Sequence, residues 1–528
     1  MGYWSIYFIV KLGLFYQGFI GFHWLPNLVF AIALLVPLAN VTLQLLRKII
    51  ALPLGFSLLY YDSWLPPISR FFSQIDKVNG FDRAYLLELI GRFINVGVLV
   101  ALAFLIIAFL FMRSRVRFAS IAILGILCVP LIGQLSKAAH GIFAQTAQND
   151  TQLLTGQDPA VLIKSFYTTQ AAKQVRFSGI ADSKVPFDVV FLHVCSLSWD
   201  DLDYVGEHNM PLLKRFDIVF RHFNSAASYS GPATLRLFHS NCGQLPHQQL
   251  YQNGAPRCNL FQNFKEAGFD VHGLLNHDGH FDQFASLVQG AAGIDAKLED
   301  NHVAPVAMHS FDNVPIYEDL PLLTNWWNQQ KSSDKPKVLY YNTISLHDGN
   351  RVPSLSSRKS LDTYKPRLDK LMSDFDQFIS FLEVRNKPVV VILVPEHGAA
   401  LRGDKMQISG MREIPNPNIT LVPLAIKLVG FKGSLSKGQP NNQSNVASNQ
   451  PLQIDQAVSY FALSTLLADF ITDSPFVDTG GTPLAERINN LPSTTFVSEN
   501  EDIVVMRSGN TYQLRSADGT WVDYLAKQ

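Results

Sequence analysis

The chain has 528 residues, with 43 Lys+Arg against 43 Asp+Glu, so its formal charge at neutral pH is zero. That balance excludes the basic excess of a nucleic-acid binder and the acidic tail of a solvated interaction arm. Hydrophobic residues make up 48% of the sequence, high for a soluble protein of this length; the surplus lies in roughly the first 140 residues, and the remainder has globular composition.

In chain order, residues 1–140 predict a helical transmembrane bundle. Crossing the hydrocarbon core takes about 20 mostly apolar residues. The stretches 27–46, 49–66, 93–112 and 118–136 qualify, and 3–22 qualifies apart from Lys11, which gives about five spans. Individual stretches, 3–22 above all, can instead be buried core helices. No small-residue cleavage site follows the first apolar run, so it does not read as a removable signal peptide. The basic clusters Arg47–Lys48 and Arg113, Arg115, Arg117 mark cytoplasmic loops, which places the N-terminus inside and everything after residue 140 outside. Trp4, Tyr60, Tyr61 and Trp64 suit the aromatic belts at span ends.

Residues 141–180 are polar and rich in small side chains, a connector with a helix around 160–175; residues 181–528 form the outer domain. FDVVFLHVC (187–195), DVHGLL (270–275), KVLYYNT (337–343) and KPVVVILVP (387–395) are short apolar runs separated by stretches long enough for crossovers. Unbroken runs of this kind suit parallel strands buried on both faces. Residues 361–385 carry apolar side chains at i, i+3, i+4 spacing, as a covering helix requires. The pattern predicts an α/β domain with a largely parallel sheet and a ligand site beyond the carboxyl ends of its strands. The polar insert 434–451 reads as a mobile loop, and 494–524, with GN and DG turn signals, as a terminal antiparallel hairpin. There is no internal repeat and no glycine-rich phosphate loop.

The chain has four cysteines. Cys128 lies in an apolar span and reads as a packing residue. Cys195, Cys242 and Cys258 fall outside, where an oxidising compartment favours bridging. Cys242 and Cys258 bracket a short turn-rich loop, and closing it contributes about 3 kcal/mol on the chain-entropy view. That predicted disulfide leaves Cys195 without a partner.

Three predicted strand ends carry reactive side chains. Cys195 closes the first, Glu396 and His397 (in VPEHG) close another, and His347 and Asp348 follow a third. A thiol, a carboxylate and two imidazoles along one sheet edge suit zinc rather than magnesium or calcium, and three protein ligands with an exchangeable position are the pattern of a catalytic zinc. Taken singly, each has a plainer reading: a strand-end cysteine is commonly a small buried hydrophobe, and a His–Glu pair a surface or structural ion pair. In NSAASYSGPATLR (224–236), Ser-Gly-Pro interrupts the chain before a helix with Pro232 in its first turn. Ser230 then lies at or before a helix N-terminus, where free N–H groups and the dipole favour a phosphoryl group; a simple N-cap is the plainer role for Ser228 or Ser230.

The blocks HVCSLSWDDL, NSAASYSGPATLRL, NTISLHDGN and VPEHGAALRGDKMQISGMREIP, with the polytopic N-terminus, resemble the bacterial cellulose phosphoethanolamine transferases (the BcsG family) of the alkaline-phosphatase superfamily. The resemblance covers nearly the whole chain and is weakest in 138–180 and 434–451. It implies an alkaline-phosphatase-like fold, zinc (Zn2+) held by Cys195, Ser230, Glu396 and His397, and Ser230 as nucleophile. It adds Tyr229, His347 and Arg412 to the site and matches Cys242–Cys258 to the family's disulfide. Lipid A-modifying relatives have glutamate in place of Cys195, threonine in place of Ser230 and DHG in place of EHG. The implied reaction moves phosphoethanolamine from phosphatidylethanolamine to a glucan 6-hydroxyl through a phosphoethanolamine-serine intermediate. Other subunits of a cellulose synthase complex are the implied partners. The implied location is the bacterial inner membrane, multi-pass, with a periplasmic catalytic domain. The competing readings are a related transferase or hydrolase (phosphoglycerol or lipid A modification) and a mainly structural subunit of a cellulose secretion complex.

Overall fold

Strands β1 (Asp188–Val194), β3 (Asp270–Leu275), β6 (Lys337–Thr343) and β7 (Val389–Pro395) form where the four apolar runs predict them. They lie side by side in the order β7-β1-β6-β3, all parallel. The computed structural model describes residues 2–524 except 67, 69–79, 95, 145–157, 181–182, 253, 292–297, 331–334, 358, 432–449 and 478–480. Its contacts separate two compact units, one of residues 1–76, 87–157 and 403–409, the other of 77–86, 158–402 and 410–528.

The second unit is an α/β domain built on an eight-stranded sheet. Beyond β7 lie β8 (Leu421–Val429) and β2 (Ile218–Asn224), with β9 (Leu452–Ile454) and β10 (Val458–Ser459) sharing the far edge of β2. β8 runs antiparallel to both neighbours, so the sheet is mixed but mostly parallel. Every residue of β1, β6 and β7 is buried, because apolar layers cover both faces. One layer gathers Phe191, Phe261, Phe264 and Ile392; the other gathers Leu192, Leu339, Val391 and the helix Tyr364–Glu383 through Leu368, Leu371, Phe375 and Phe378. Val194 of β1 is in register with both Thr343 and Pro395, so three central strands end level and the residues after them share one edge.

The tail forms a four-stranded antiparallel sheet, β11 (Val497–Asn500), β12 (Ile503–Ser508), β13 (Thr511–Arg515) and β14 (Trp521–Tyr524), where the sequence suggested one hairpin. A separate two-stranded ribbon pairs β4 (Val306–His309) with β5 (Pro315–Tyr317). The connector helix forms at Pro159–Ala171, with the Asp158 side chain capping Ala160 N–H and proline in the first turn. The insert 434–451 lies almost wholly outside the described residues.

The first unit contains the helices Trp4–Tyr16, Trp24–Leu35, Val41–Tyr61, Val96–Met112 and Phe118–Ala144. Their boundaries correct the sequence reading. The stretch 27–46 is not one helix: Val36 is extended before Pro37, as steric conflict with the proline ring requires, and Asn40 caps the next helix through Thr42 N–H. Arg47 and Lys48 consequently lie inside the helix Val41–Tyr61 and mark no loop. By the residues whose side chains are described, Val41–Tyr61 is long and apolar enough to cross a bilayer; Arg83–Phe93 and Val96–Met112 qualify only as a bent pair, and Trp4–Tyr16, Trp24–Leu35 and the stretch Phe118–Leu131 are shorter apolar helices. Apolar N-terminal helices are therefore present, while five spans are not established. Lys11, the charge inside the first stretch, is fully buried and paired with Asp62 at 2.7 Å.

Candidate active site

The level ends of β1, β6 and β7 put Cys195, His347 and the Glu396–His397 pair along one sheet edge. Backbone bonds fix the edge: Cys195 N–H donates to Thr343 O at 3.0 Å, Glu396 N–H to Val194 O at 2.9 Å, and Leu197 N–H to His397 O at 2.7 Å. The chain turns sharply after Cys195, with buried Ser196 at φ +69°. Gly398 is required by close approach, since a Cβ there would lie 2.6 Å from Ser198 Oγ and 2.8 Å from an Asp201 oxygen. Asp201 braces this turn by accepting from Ala399 N–H (2.7 Å), Leu401 N–H (3.2 Å) and Ser198 Oγ (2.8 Å).

Ser230 is the first residue of the helix Ser230–Phe238, preceded by extended Tyr229, whose side chain makes no cap. The serine is therefore not the N-cap, and its half-buried hydroxyl faces the strand tips. Ser230 Oγ is 3.4 Å from Cys195 Sγ and 3.4 Å from His397 Nε2; Cys195 Sγ is 3.9 Å from His397 Nε2, which is 3.8 Å from Glu396 Oε2. Cys195, Glu396 and His397 form a buried group able to hold a metal ion, their ligand atoms all within 4.8 Å of one another.

The electrostatics of this cluster are those of donors lacking an internal counter-charge. Burial, and then the charge of Glu396, push the Cys195 thiol up to about 12. Burial also raises the Glu396 carboxyl and drives His397 well below the usual imidazole range. Glu396 Oε2 has no hydrogen-bond partner although it is fully buried. His397 Nδ1 lies 2.9 Å from Gly398 O; donating its proton there leaves the Nε2 lone pair facing the cluster.

Around this core stand the other predicted residues. Arg412 is buried, reaches Ser196 Oγ at 3.3 Å, stands 5.3 Å over the Tyr229 ring, and has an unpartnered Nε. Tyr229 Oη donates to Glu413 Oε1 at 2.8 Å. His347 Nδ1 is 2.6 Å from Asp348 O, and burial followed by the charge of Arg412 lowers its pKa to about 4. Cys242 and Cys258 form the disulfide expected of them. Two neighbours went unnoticed in the sequence. Asn342 Nδ2 donates to Glu396 Oε1 at 2.5 Å, and fully buried His193 lies 3.5 Å from the same oxygen. The signal was present: each is a polar residue inside an otherwise apolar strand, in FLHV and YYNT.

Fold and site together define a chain with apolar N-terminal helices and an α/β domain whose sheet edge carries a buried thiol–carboxylate–imidazole donor set beside a helix-borne serine. The chain belongs to the BcsG family of cellulose biosynthesis proteins. The family's N-terminal domain matches residues 4–131 and its C-terminal domain residues 143–521. The chain is 35% identical over 551 aligned positions to cellulose biosynthesis protein BcsG of Escherichia coli (strain K12), covering 99% of this chain and 96% of that one. It matches the protein of the same name from Salmonella typhimurium to the same extent. Among solved structures, a Vibrio parahaemolyticus protein of the alkaline phosphatase superfamily aligns with TM-score 0.47 and 12% identity, over 72% of this chain and 94% of that one.

Proposed function

We propose that this protein is a zinc-dependent phosphoethanolamine transferase of the bacterial inner membrane. It takes phosphoethanolamine from phosphatidylethanolamine and delivers it to the 6-hydroxyl of cellulose through a phosphoethanolamine–Ser230 intermediate. Membership of a cellulose biosynthesis family and the sequence resemblance support donor and acceptor. The observation that carries the reading is the convergence of Ser230 Oγ on the Cys195, Glu396 and His397 donors, with Glu396 Oε2 left without a hydrogen bond.

The donor set fits zinc. Zinc–ligand bonds of about 2.0–2.3 Å in a tetrahedron separate the ligand atoms by roughly 3.3–3.8 Å. The separations of Ser230 and His397 from Cys195, of Ser230 from His397 and of His397 from Glu396 run from 3.4 to 3.9 Å, and the Cys195, Glu396 and His397 atoms all lie within 4.8 Å of one another. Thiolate and imidazole donors disfavour magnesium and calcium. Bound there, zinc would lower the hydroxyl pKa of Ser230 and supply the positive charge that ionises Cys195.

The chain's own residues do the rest. Ser230 Oγ forms a bond to phosphorus as the bond to the diacylglycerol oxygen breaks, and the sugar hydroxyl later displaces the serine. Arg412, with its unpartnered Nε beside Tyr229, offers a guanidinium to the phosphoryl oxygens. His347 Nδ1 faces a carbonyl, so Nε2 is the atom that exchanges protons. Held neutral, it takes a proton from an attacking hydroxyl and returns it to the leaving oxygen. The Cys242–Cys258 disulfide and the arginine-rich turn at 113–117 support a periplasmic catalytic domain.

The test uses the full chain in phosphatidylethanolamine vesicles, read by intact mass and metal content. Wild type is expected to hold about one zinc per chain and to gain one phosphoethanolamine, while Ser230→Ala gains none. A wild-type protein that binds zinc yet gains no mass would overturn the proposed donor.

A further inference from the structure

The helix Arg83–Phe93 belongs in sequence to the N-terminal family domain, yet contacts assign residues up to Leu86 to the α/β unit. Its first turn is tied there by named bonds. Asp82 N–H donates to Phe311 O at 2.8 Å, and Tyr85 Oη donates to Asp348 Oδ2 at 3.0 Å across 263 positions of sequence. Tyr85 is only 6% exposed. Phe81 and Tyr85 pack on Phe311 with ring centroids 5.0 and 6.0 Å away, and Phe311 in turn lies 5.1 Å from the His347 ring, inclined by 35°.

Asp348 is the pivot of this arrangement. Its carboxylate also accepts from Gly349 N–H at 2.9 Å and from Ser360 Oγ, and its carbonyl oxygen meets His347 Nδ1. Gly349 has φ +84°, and a Cβ there would stand 2.4 Å from Phe311 Cβ and 3.0 Å from the Tyr85 ring, so there is no slack in the turn. Arg367 Nη1 holds the other side through Ser345 O (2.8 Å) and His347 O (3.0 Å). Tyr85, Phe311 and Arg367 thus enclose the segment that aims His347.

We propose that Tyr85 is a positioning residue for His347, acting through Asp348 and Phe311, so that a segment outside the α/β sequence completes the proton-exchange step. This rests on the transferase reading above, in which His347 Nε2 returns a proton to the departing diacylglycerol oxygen. The consequence is selective. A poor leaving group needs that proton; a nitrophenolate departs without it.

The experiment compares the full-length wild type with Tyr85→Phe, each in detergent–lipid micelles, on phosphatidylethanolamine and on the nitrophenyl ester of phosphoethanolamine. For Tyr85→Phe, the first-turnover rate of diacylglycerol release is expected to fall about tenfold, with the half-saturating substrate concentration and the first-turnover rate of nitrophenol release within about twofold of wild type. Asp348→Asn should show the same split, and the double variant little more than either single one. Equal losses on both substrates would mean general loosening and would overturn the proposal, as would no loss on either. If wild type releases nitrophenol but never diacylglycerol, the donor assignment fails first, and the Tyr85 inference with it. Should Asp348→Asn fail to fold, the Tyr85→Phe split alone decides.

Discussion

Each of the two units buries a polar cluster, and the two are built on opposite principles. In the N-terminal unit, Lys11 Nζ meets Asp62 Oδ2 at 2.7 Å, Asn27 Oδ1 at 2.9 Å and Leu58 O at 2.9 Å. Asn27 Nδ2 returns a bond to Asp62 at 2.7 Å, and His23 N–H takes the other Asp62 oxygen at 3.0 Å. Opposite charges are matched and the donors find acceptors. In the α/β unit, Cys195, Glu396 and His397 are equally buried but form a set of electron-pair donors, with one carboxylate oxygen unpartnered. A buried cluster that satisfies itself holds helices together; one made only of donors is what a cation binds.

The sharpest break between the two is catalytic. His397→Ala should lower transfer by about a thousandfold and abolish stoichiometric metal, because it removes a donor without removing the fold. The metal-stripped variant should melt only slightly below metal-stripped wild type, since the side chain gives up just one hydrogen bond, Nδ1 to Gly398 O, and its packing. A marked drop in that midpoint would mean that the α/β cluster is a structural network like the other.

The converse holds at the N-terminal cluster. Asp62→Ala leaves Lys11 buried without its counter-ion, which should destabilise that unit by about 3–5 kcal/mol, seen as lost detergent-resistant protein and a lowered melting midpoint. Replacing the pair together, Lys11→Met with Asp62→Leu, should recover most of that loss. Failure of the double variant to recover would show that the pair does more than satisfy itself.

How much of this contrast was legible in the sequence depends on what each cluster is made of. The strand tips could be read because unbroken apolar runs announce doubly buried strands, and Cys195, Glu396 and His397 stand where those runs end. The antiparallel β8, and β2 beyond it, could not. β8 contains Pro423, and β2 carries Arg221 and His222, so neither resembles its neighbours. In the tail, the GN and DG signals mark two of the three tight turns, enough for three strands, and the remaining turn, the first, carries no glycine signal. The first is made by Glu501 at φ +52°, a conformation that no local residue preference announces. In the N-terminal unit, counting apolar residues ran across Pro37 and misplaced a helix boundary, and with it the meaning of Arg47 and Lys48. The Lys11–Asp62 match joins positions 51 apart, which periodicity does not see.

Asp319 stands between the two cases and gives the smallest effect. It is a buried carboxylate with neutral donors only: Tyr341 Oη at 2.7 Å, Ser345 Oγ at 2.6 Å and Asn276 Nδ2 at 3.3 Å. Burial raises its pKa from 3.8 to about 6, with those hydroxyls opposing the rise. The folded state therefore binds this proton more tightly than the unfolded state does. The resulting stabilisation is complete below the unfolded value and is lost as pH rises through about 6. Between pH 8 and pH 5 the folded chain should gain about 1–2 kcal/mol from this group. Asp319→Asn, which keeps the shape but cannot titrate, should lose that gain, so its melting midpoint relative to wild type should be higher at pH 8 than at pH 5. Parallel pH profiles for the two proteins would mean that three neutral donors suffice to keep a buried carboxylate ionised. The contrast drawn between the clusters would then rest on the number of donors each oxygen meets, with charge a secondary matter.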